Sequence, residues 1–356
     1  MKALILENYT TAYRLKEVEK PVAGRGQVLV KITASGVNPL DIKIKAGQAG
    51  HAQTRLPAIL GVDMAGVVEA VGEPAGKVIG AAAGDRGRVG ERDGAGVGEG
   101  GEGVSRFAPG DAVYGMTGGI AGIPGTLAEY AAVDADLLAM KPKNLSFREA
   151  AALPLIIITA WEGLVDRAGV GPGKTVLIHG GAGGVGHVAV QMARAKGASV
   201  FATVRPDKEA LIKSYGATPI DYTRLSVAEY VDQYTGGEGF DIVMDNIGGA
   251  TLDASFKAVK QYTGHVISIL GWGTHSLAPL SFRGATYSGV FTLYPLISGK
   301  GRAHHGAILK EATGLIEAGF LKPLIDEQHY TFDTIAAAYQ AIEQHTARGK
   351  VVVDID

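Results

Sequence analysis

Two hydrophobic rhythms divide the chain. Through about residue 140, apolar positions cluster in short runs at Ala3–Leu6, Gln27–Ala34, Ala65–Val71, Asp111–Tyr114 and Ala128–Val133, separated by Gly and Pro. Short β-rich runs punctuated in this way predict the strands of a β-rich domain. Beyond about residue 150 the pattern changes. Apolar runs at 175–179, 199–204, 218–221, 241–245, 265–270 and 286–293 alternate with helical spacing at 185–196, 207–215, 226–234 and 249–260. That alternation predicts a parallel sheet with right-handed crossovers. Amphipathic helices are expected near 305–318 and 333–345, and the closing run Gly349-Lys-Val-Val-Val-Asp-Ile355 reads as a strand returning to the N-terminal domain. Leu153–Trp161 is the most apolar stretch; it is too short to span a bilayer and reads as a buried helix.

The junction of the strand at 175–179 with its helix carries the most specific chemistry. Lys174-Thr-Val-Leu-Ile-His179 runs into Gly180-Gly181-Ala-Gly183-Gly184-Val185-Gly186, and Gly181, Gly183 and Gly186 make G-x-G-x-x-G. The pattern gains meaning from its place between a strand and a helix whose face holds Val185, Val188, Ala189 and Met192. The first glycine permits the tight turn, the second lets backbone approach a pyrophosphate, and the third lets helix and strand pack closely. The helix N-terminus offers N–H groups to the anion. Gly181, Gly183, Gly184, Val185 and Gly186 are therefore candidate dinucleotide contacts.

The next strand indicates which dinucleotide. An NAD site places a carboxylate at its end, roughly 20 residues past the glycines. Here Thr203 stands at that end, with Arg205 and Lys208 just beyond. Cations attract a ribose 2′-phosphate, so NADP(H) is the expected cofactor. The alternative is that Arg205 and Lys208 are ordinary solvated charges. Tyr222 follows the next strand and is a candidate for the same end of the cofactor. Asn246, Gly248 and Gly249 close the strand 241–245, and Leu270, Gly271 and Gly273 close 265–270, at the carboxyl edge where cofactors lie.

Composition narrows the function classes. A chain of 356 residues is long enough for two domains, and a net charge of −2 gives no footprint for nucleic acid or an anionic membrane. With no cysteine, disulfides, thiolate metal sites and cysteine nucleophiles are excluded, and a cytoplasmic location is expected. The opening residues turn polar too soon for a signal peptide and read as a strand. Residues 73–103 are glycine-rich, mixed with Arg, Asp and Glu, and hold few large apolar side chains. Such a segment is expected to be a loosely ordered surface arm, or one ordered against a partner subunit.

Taken together, Ala34-Ser-Gly-Val-Asn38-Pro-Leu-Asp41, Leu60-Gly-Val-Asp63-Met-Ala-Gly66-Val-Val, Ser105-Arg-Phe-Ala-Pro-Gly-Asp-Ala-Val113, the cofactor loop and the terminal Gly349-Lys-Val-Val-Val resemble the medium-chain dehydrogenase/reductase superfamily. More closely, the chain resembles its zinc-free quinone oxidoreductase branch, which includes zeta-crystallin. The glycine-rich segment departs from that branch, which has a short turn there. The resemblance implies an α/β fold: a GroES-like β-rich catalytic domain (1–140 and 300–356, with the insertion 73–103) clasping a Rossmann domain (141–299) with a doubly wound parallel sheet. It also implies a homodimer or homotetramer paired through edge strands around Thr286–Leu293.

Zinc-dependent relatives carry a Cys near Asn38 and a Gly-His-Glu stretch where this chain has Gly61-Val62-Asp63, so neither preferred ligand type stands there and no metal is expected. The nine histidines show no spacing that would replace them. Without a Lewis acid, alcohol oxidation is disfavoured, and an electron-poor acceptor is the better substrate. The expectation is NADPH-dependent reduction of a quinone or of the activated C=C bond of an α,β-unsaturated carbonyl compound. The competing readings are a crystallin-like NADPH-binding protein without turnover, and an alcohol dehydrogenase. By resemblance Asn38 sits beside the nicotinamide and Thr159 faces the cofactor; a turn Asn and a helix Thr bonded to its own backbone are the plainer alternatives. Asp41 and Lys43 are candidates for the same cleft, or a solvated pair. Trp272 and His275 are candidates to frame an acceptor pocket, while His51 has no assigned role and no proton donor stands out.

Overall fold

In the computed structural model, which describes residues 1–73 and 106–355, the N-terminal runs pair into two antiparallel sheets. The elements, in chain order, are β1 (Lys2–Leu6), β2 (Arg14–Glu17), β3 (Gln27–Gly36), α1 (Pro39–Lys45), β4 (Ala58–Ile59), β5 (Asp63–Val71), β6 (Ala112–Met116), β7 (Tyr130–Asp134) and β8 (Leu138–Met140). A small sheet has the order β2-β1-β4, while β3 lies between β5 and β7, and β5 pairs on through β6 to β8. The expected arm over 73–103 lies outside the described residues apart from Glu73.

The second half continues with α2 (Phe147–Ala151), α3 (Pro154–Trp161), β9 (Thr175–His179), α4 (Gly184–Ala195), β10 (Ser199–Val204), α5 (Glu209–Ser214), β11 (Thr218–Asp221), α6 (Val227–Thr235), β12 (Ile242–Asp245), α7 (Ala250–Ala258), β13 (His265–Ser268), α8 (Ala278–Arg283) and β14 (Thr286–Gly289). These strands form one parallel sheet in the order β11-β10-β9-β12-β13-β14. Chain order reverses between β9 and β12, and the carboxyl ends of strands at such a switch point are where doubly wound sheets bind ligands. The chain finishes with α9 (Tyr294–Ser298), α10 (Arg302–Glu317), α11 (Ile335–Glu343) and β15 (Val352–Asp354). Strand β15 pairs antiparallel with β3, Val352 opposite Gly36, so the last strand does return to the first domain. The fold is thus a GroES-like domain joined to a Rossmann-like parallel sheet.

The join is tight. At Gly36 a Cβ would stand 2.2 Å from the carbonyl oxygen of Ala151, so only glycine lets β3 pass under α2. Leu153–Trp161 is a buried helix over most of its length, and its path continues as a π-helical turn through Glu162–Arg167. One apolar cluster runs without a break from Leu4 and Leu60 through Ile156 and Ile157 to Ile178 and Val200. The expected strand 286–293 is shorter than its apolar run. It ends at Gly289, and the chain then turns to bring Thr292 Oγ1 within 3.1 Å of Thr159 Oγ1 on α3.

Candidate active site

Gly180 has a φ of +69°, which glycine adopts without strain, and it starts the turn that ends β9. A Cβ on Gly181 would lie 2.5 Å from Ala202 Cβ, and one on Gly186 would lie 2.0 Å from Gly180 O. Strand, loop and helix therefore pack backbone to backbone. The contrast is at Gly183 and Gly184, which are exposed: at Gly184 the nearest heavy atom to a Cβ would be Lys350 Cδ at 3.7 Å. The amide groups of the first turn of α4, including that of Val185, lack intrahelical partners.

Thr203 does not face outward from the strand end. Its hydroxyl accepts from the Gly180 N–H at 3.2 Å and lies 3.2 Å from His179 Nδ1, so it braces the loop from beneath. Burial pushes the His179 imidazole down to about 4, which keeps it neutral. Beyond the strand, Arg205 Nε donates to Tyr222 Oη at 3.3 Å, so these two expected residues meet at the surface. Lys208 stands nearby in sequence, 3.9 Å from Asp207. On the other side of the switch point Asn246 Nδ2 donates to His179 O at 2.9 Å, stitching β12 to β9. Asp245 accepts from the Ile247 and Gly248 N–H groups and from Ser268 Oγ. Gly248, at φ +80°, leaves no room for a side chain beside Leu270 O, which a Cβ would approach to 2.5 Å. At Gly271 a Cβ would stand 2.3 Å from Tyr287 Oη.

A buried polar cluster surrounds Asn38. Asp41 Oδ2 accepts from the Asn38 backbone N–H at 2.8 Å, capping α1. Asn38 and Asp41 thus face each other as a capping box, and the Asn38 side chain also donates from Nδ2 to Asp63 Oδ2 at 2.9 Å and accepts at Oδ1 from the Lys350 ammonium. Lys350 Nζ also donates to Val37 O at 2.9 Å, and Asp63 Oδ1 accepts from the Leu155 N–H at 2.9 Å. All four side chains are buried, Lys350 being the most exposed at 6%. Burial pushes the Asp41 carboxyl up to about 7 and that of Asp63 up to about 6, while it lowers the Lys350 ammonium. The possibility that Asp41 and Lys43 form a solvated pair is therefore ruled out: Asp41 is inside, and its Oδ1 has no hydrogen-bond partner among the described residues. Sequence alone does not mark Lys350 and Asp63 as polar partners of Asn38: Lys350 shows there as a lysine between a glycine and an apolar run.

Thr159 donates its hydroxyl to Leu155 O at 2.7 Å, one turn back on its own helix, and pairs with Thr292. His51 finds its setting here: its ring lies 5.3 Å from that of Trp272 and 6.1 Å from that of Phe291, centroid to centroid. His275 stands behind this wall, 2.9 Å from Asp253 Oδ1 and 3.1 Å from Trp272 O, and the Asp253 bond raises its pKa. Two open depressions elsewhere, one beside Lys213 and Arg224 and one beside Arg55 and Pro124, hold none of these groups. No described helix is long and apolar enough to cross a membrane.

Comparison with known proteins agrees with this architecture. Residues 24–143 match the alcohol dehydrogenase GroES-like domain, and residues 215–353 match the zinc-binding dehydrogenase family. The chain is 36% identical to a 2-methylene-furan-3-one reductase of Solanum lycopersicum, over 99% of this chain and 79% of that protein. It is 34% identical, with the same coverage, to a chloroplastic NADPH-dependent alkenal/one oxidoreductase of Arabidopsis thaliana. Among solved structures, an alcohol dehydrogenase superfamily protein from Novosphingobium aromaticivorans is 49% identical over all of both chains, with a TM-score of 0.90. The chain therefore belongs to the medium-chain dehydrogenase/reductase superfamily, and is an oxidoreductase of the kind that uses a nicotinamide cofactor.

Proposed function

We propose that this protein reduces the activated C=C bond of α,β-unsaturated ketones and aldehydes with NADPH, with quinones as a second acceptor class, and without a metal. One observation carries the reading. The Asn38 amide is held between a buried ammonium and a buried carboxyl group, at the place where zinc-dependent relatives of the superfamily carry metal ligands. Among the described residues, no three His, Asp or Glu side chains cluster in a way suited to a metal ion. The two relatives named above supply the preference for unsaturated carbonyl compounds, since both names describe such substrates.

The chain's own groups suit a dinucleotide. The exposed backbone at Gly183 and Gly184, over the N-terminus of α4, leaves space for a pyrophosphate where a side chain would intrude. Gly181, Val185 and Gly186 complete that turn. Arg205, with Tyr222 against it and Lys208 close by, gives a 2′-phosphate its counter-charge. Asn246, Gly248, Leu270 and Gly271 form the far rim, and Thr203 braces the loop. When bound, NADPH supplies a hydride to the β-carbon of the acceptor; a proton from solvent then adds at the α-carbon, leaving NADP⁺ and a saturated carbonyl compound. Asn38 has a second Nδ2–H, and in this reading it donates to the acceptor oxygen as negative charge develops there. His51, Trp272 and Phe291 give a planar acceptor an aromatic wall. Thr159 and Asp41 act as supports, Thr159 holding α3 to Thr292 and Asp41 holding the turn that carries Asn38.

The test is loss of reduced-cofactor absorbance with a panel of enones, enals and quinones, run with NADPH and NADH. Turnover of enones with NADPH, and a shift toward NADH in Arg205→Ala, are expected. Silence across the panel despite cofactor binding would favour a binding protein. Equal use of both cofactors, unchanged in Arg205→Ala, would remove the NADPH preference. We also propose a homodimer through the edge strand β14; Phe282, on the helix that precedes it in the chain, is 87% exposed. A monomeric mass in sedimentation at micromolar concentration would rule that out.

A further inference from the structure

Lys350 reaches the site from the far end of the chain. Its position is set by backbone: Lys350 N–H donates to Leu324 O at 2.8 Å, and Lys350 O accepts from Asp326 N–H at 2.9 Å. Gly349 makes that seat possible, because a Cβ there would come 2.6 Å from Leu324 O. From this seat the methylene stem passes beside Gly184 at the start of α4, and the ammonium ends against Val37 O and Asn38 Oδ1. An ammonium carries donors only, so the group it binds must be an acceptor. Asp63 Oδ2 on the other side accepts from Nδ2. The Asn38 amide therefore has one orientation, oxygen toward Lys350 and nitrogen toward Asp63, and a single N–H is left over.

We propose that Lys350 is a positioning residue: by binding Asn38 Oδ1 it fixes the amide with its free N–H turned to the acceptor oxygen, and it polarises that N–H as a donor to the forming enolate. The polarisation has a simple cause. Drawing electron density to the amide oxygen makes the amide hydrogens more positive, and a chain of hydrogen bonds in a low-dielectric interior strengthens each member. The proposal rests on the reading of Asn38 as the donor to the acceptor. It adds that this donor is set from a residue 312 positions away in the chain.

The experiment is a double-mutant cycle between Lys350→Met and Asn38→Ala, with NADPH and but-3-en-2-one as substrates. Each variant is also titrated with NADPH by fluorescence. Because a lone carboxylate pair is left behind in Lys350→Met, the pair Lys350→Met/Asp63→Asn is measured against Asp63→Asn as a second route to the same comparison. Expected for Lys350→Met is a fall in kcat of about 10- to 100-fold, below the loss of about 10²–10³ seen when an oxyanion donor itself is removed. KM for the enone and Kd for NADPH should stay within about threefold. The double variant Lys350→Met/Asn38→Ala should be no slower than Asn38→Ala, since Lys350 acts through Asn38. Multiplicative losses would show that Lys350 acts independently and would overturn the proposal, as would an unchanged kcat in Lys350→Met or in the charge-paired comparison. Those failures leave the wild type active. A wild type silent toward enones and quinones would instead overturn the functional reading, and this proposal with it.

Discussion

Asp41 is stable inside the protein only under particular conditions. Its Oδ2 takes the Asn38 N–H, while its Oδ1 is buried without a partner among the described residues. Burial is the largest cause of its raised pKa, from 3.8 to about 7, with the neighbouring Asp63 adding and Lys350 opposing. A carboxyl whose pKa is higher folded than unfolded holds its proton more tightly in the native state. Its contribution is full below the unfolded pKa and is lost as pH rises through the folded value. We predict that Asp41→Asn, which keeps an acceptor for the Asn38 N–H but cannot ionise, gains stability relative to wild type between pH ~5 and ~8, by on the order of 3 kcal/mol. Thermal unfolding at both pH values checks this; a pH-independent difference in Tm would refute it. Single residues were unequally legible before the structure. Asn38 stands in a recognisable run before Pro39, and Arg205 and Tyr222 follow strand ends, so sequence pointed to all three. Lys350 and Asp63 become partners of Asn38 only through folding, because nothing local marks a lysine that will be buried.

Among the elements, the glycine loop separates packing from ligand contact. Gly186→Ala would press a methyl to 2.0 Å from Gly180 O, a backbone atom that cannot yield without moving β9 or α4. Gly184 is the first residue of α4, and an added Cβ there meets nothing closer than 3.7 Å. We therefore predict opposite effects on stability. Gly186→Ala should lower Tm by several degrees and abolish NADPH binding. Gly184→Ala should hold or raise stability by up to about 1 kcal/mol, because alanine is the better helix former, yet weaken NADPH by crowding the anion. If Gly184→Ala bound NADPH as tightly as wild type, the cofactor would not pass over that turn. Element type was legible wherever the period was clear: five of the six parallel strands run within two residues of their apolar runs at each end. What was missed is short. Helices α1, α8 and α9 each begin near a proline and last only 7, 6 and 5 residues, too few for a helical period to show beside a turn signal. The run 286–293 overshot because Phe291-Thr292-Leu293 is apolar for a different reason, packing toward α3 and the aromatic wall rather than extending β14.

Across the whole molecule, the helix that carries the cofactor loop is tied to the segment that delivers Lys350. Gln191, on the buried side of α4, donates from Nε2 to Lys322 O at 2.9 Å and accepts at Oε1 from Lys322 N–H at 2.9 Å. One turn earlier, His187 Nδ1–H donates to Gly183 O at 3.0 Å and its Nε2 accepts from Leu324 N–H at 3.2 Å. Burial pushes His187 down to about 4, so the ring stays neutral and keeps both a donor and an acceptor. These bonds lead from Gly183 through α4 to Leu324, which in turn holds Lys350 by its carbonyl. Gln191→Leu keeps the volume but strips both polar partners from the Lys322 backbone. The Lys322 groups are only partly buried, so losing each bond costs about 1 kcal/mol rather than a full desolvation penalty, and Tm should fall by a few degrees. If the tether also aligns the two halves, NADPH Kd should rise and exchange of the Lys322 and Leu324 amides should speed up before that of the sheet strands β9 and β12. A variant with a lower Tm but unchanged amide protection at both positions would mean that Gln191 only fills space, and that the loop and Lys350 are aligned by the shared apolar core alone.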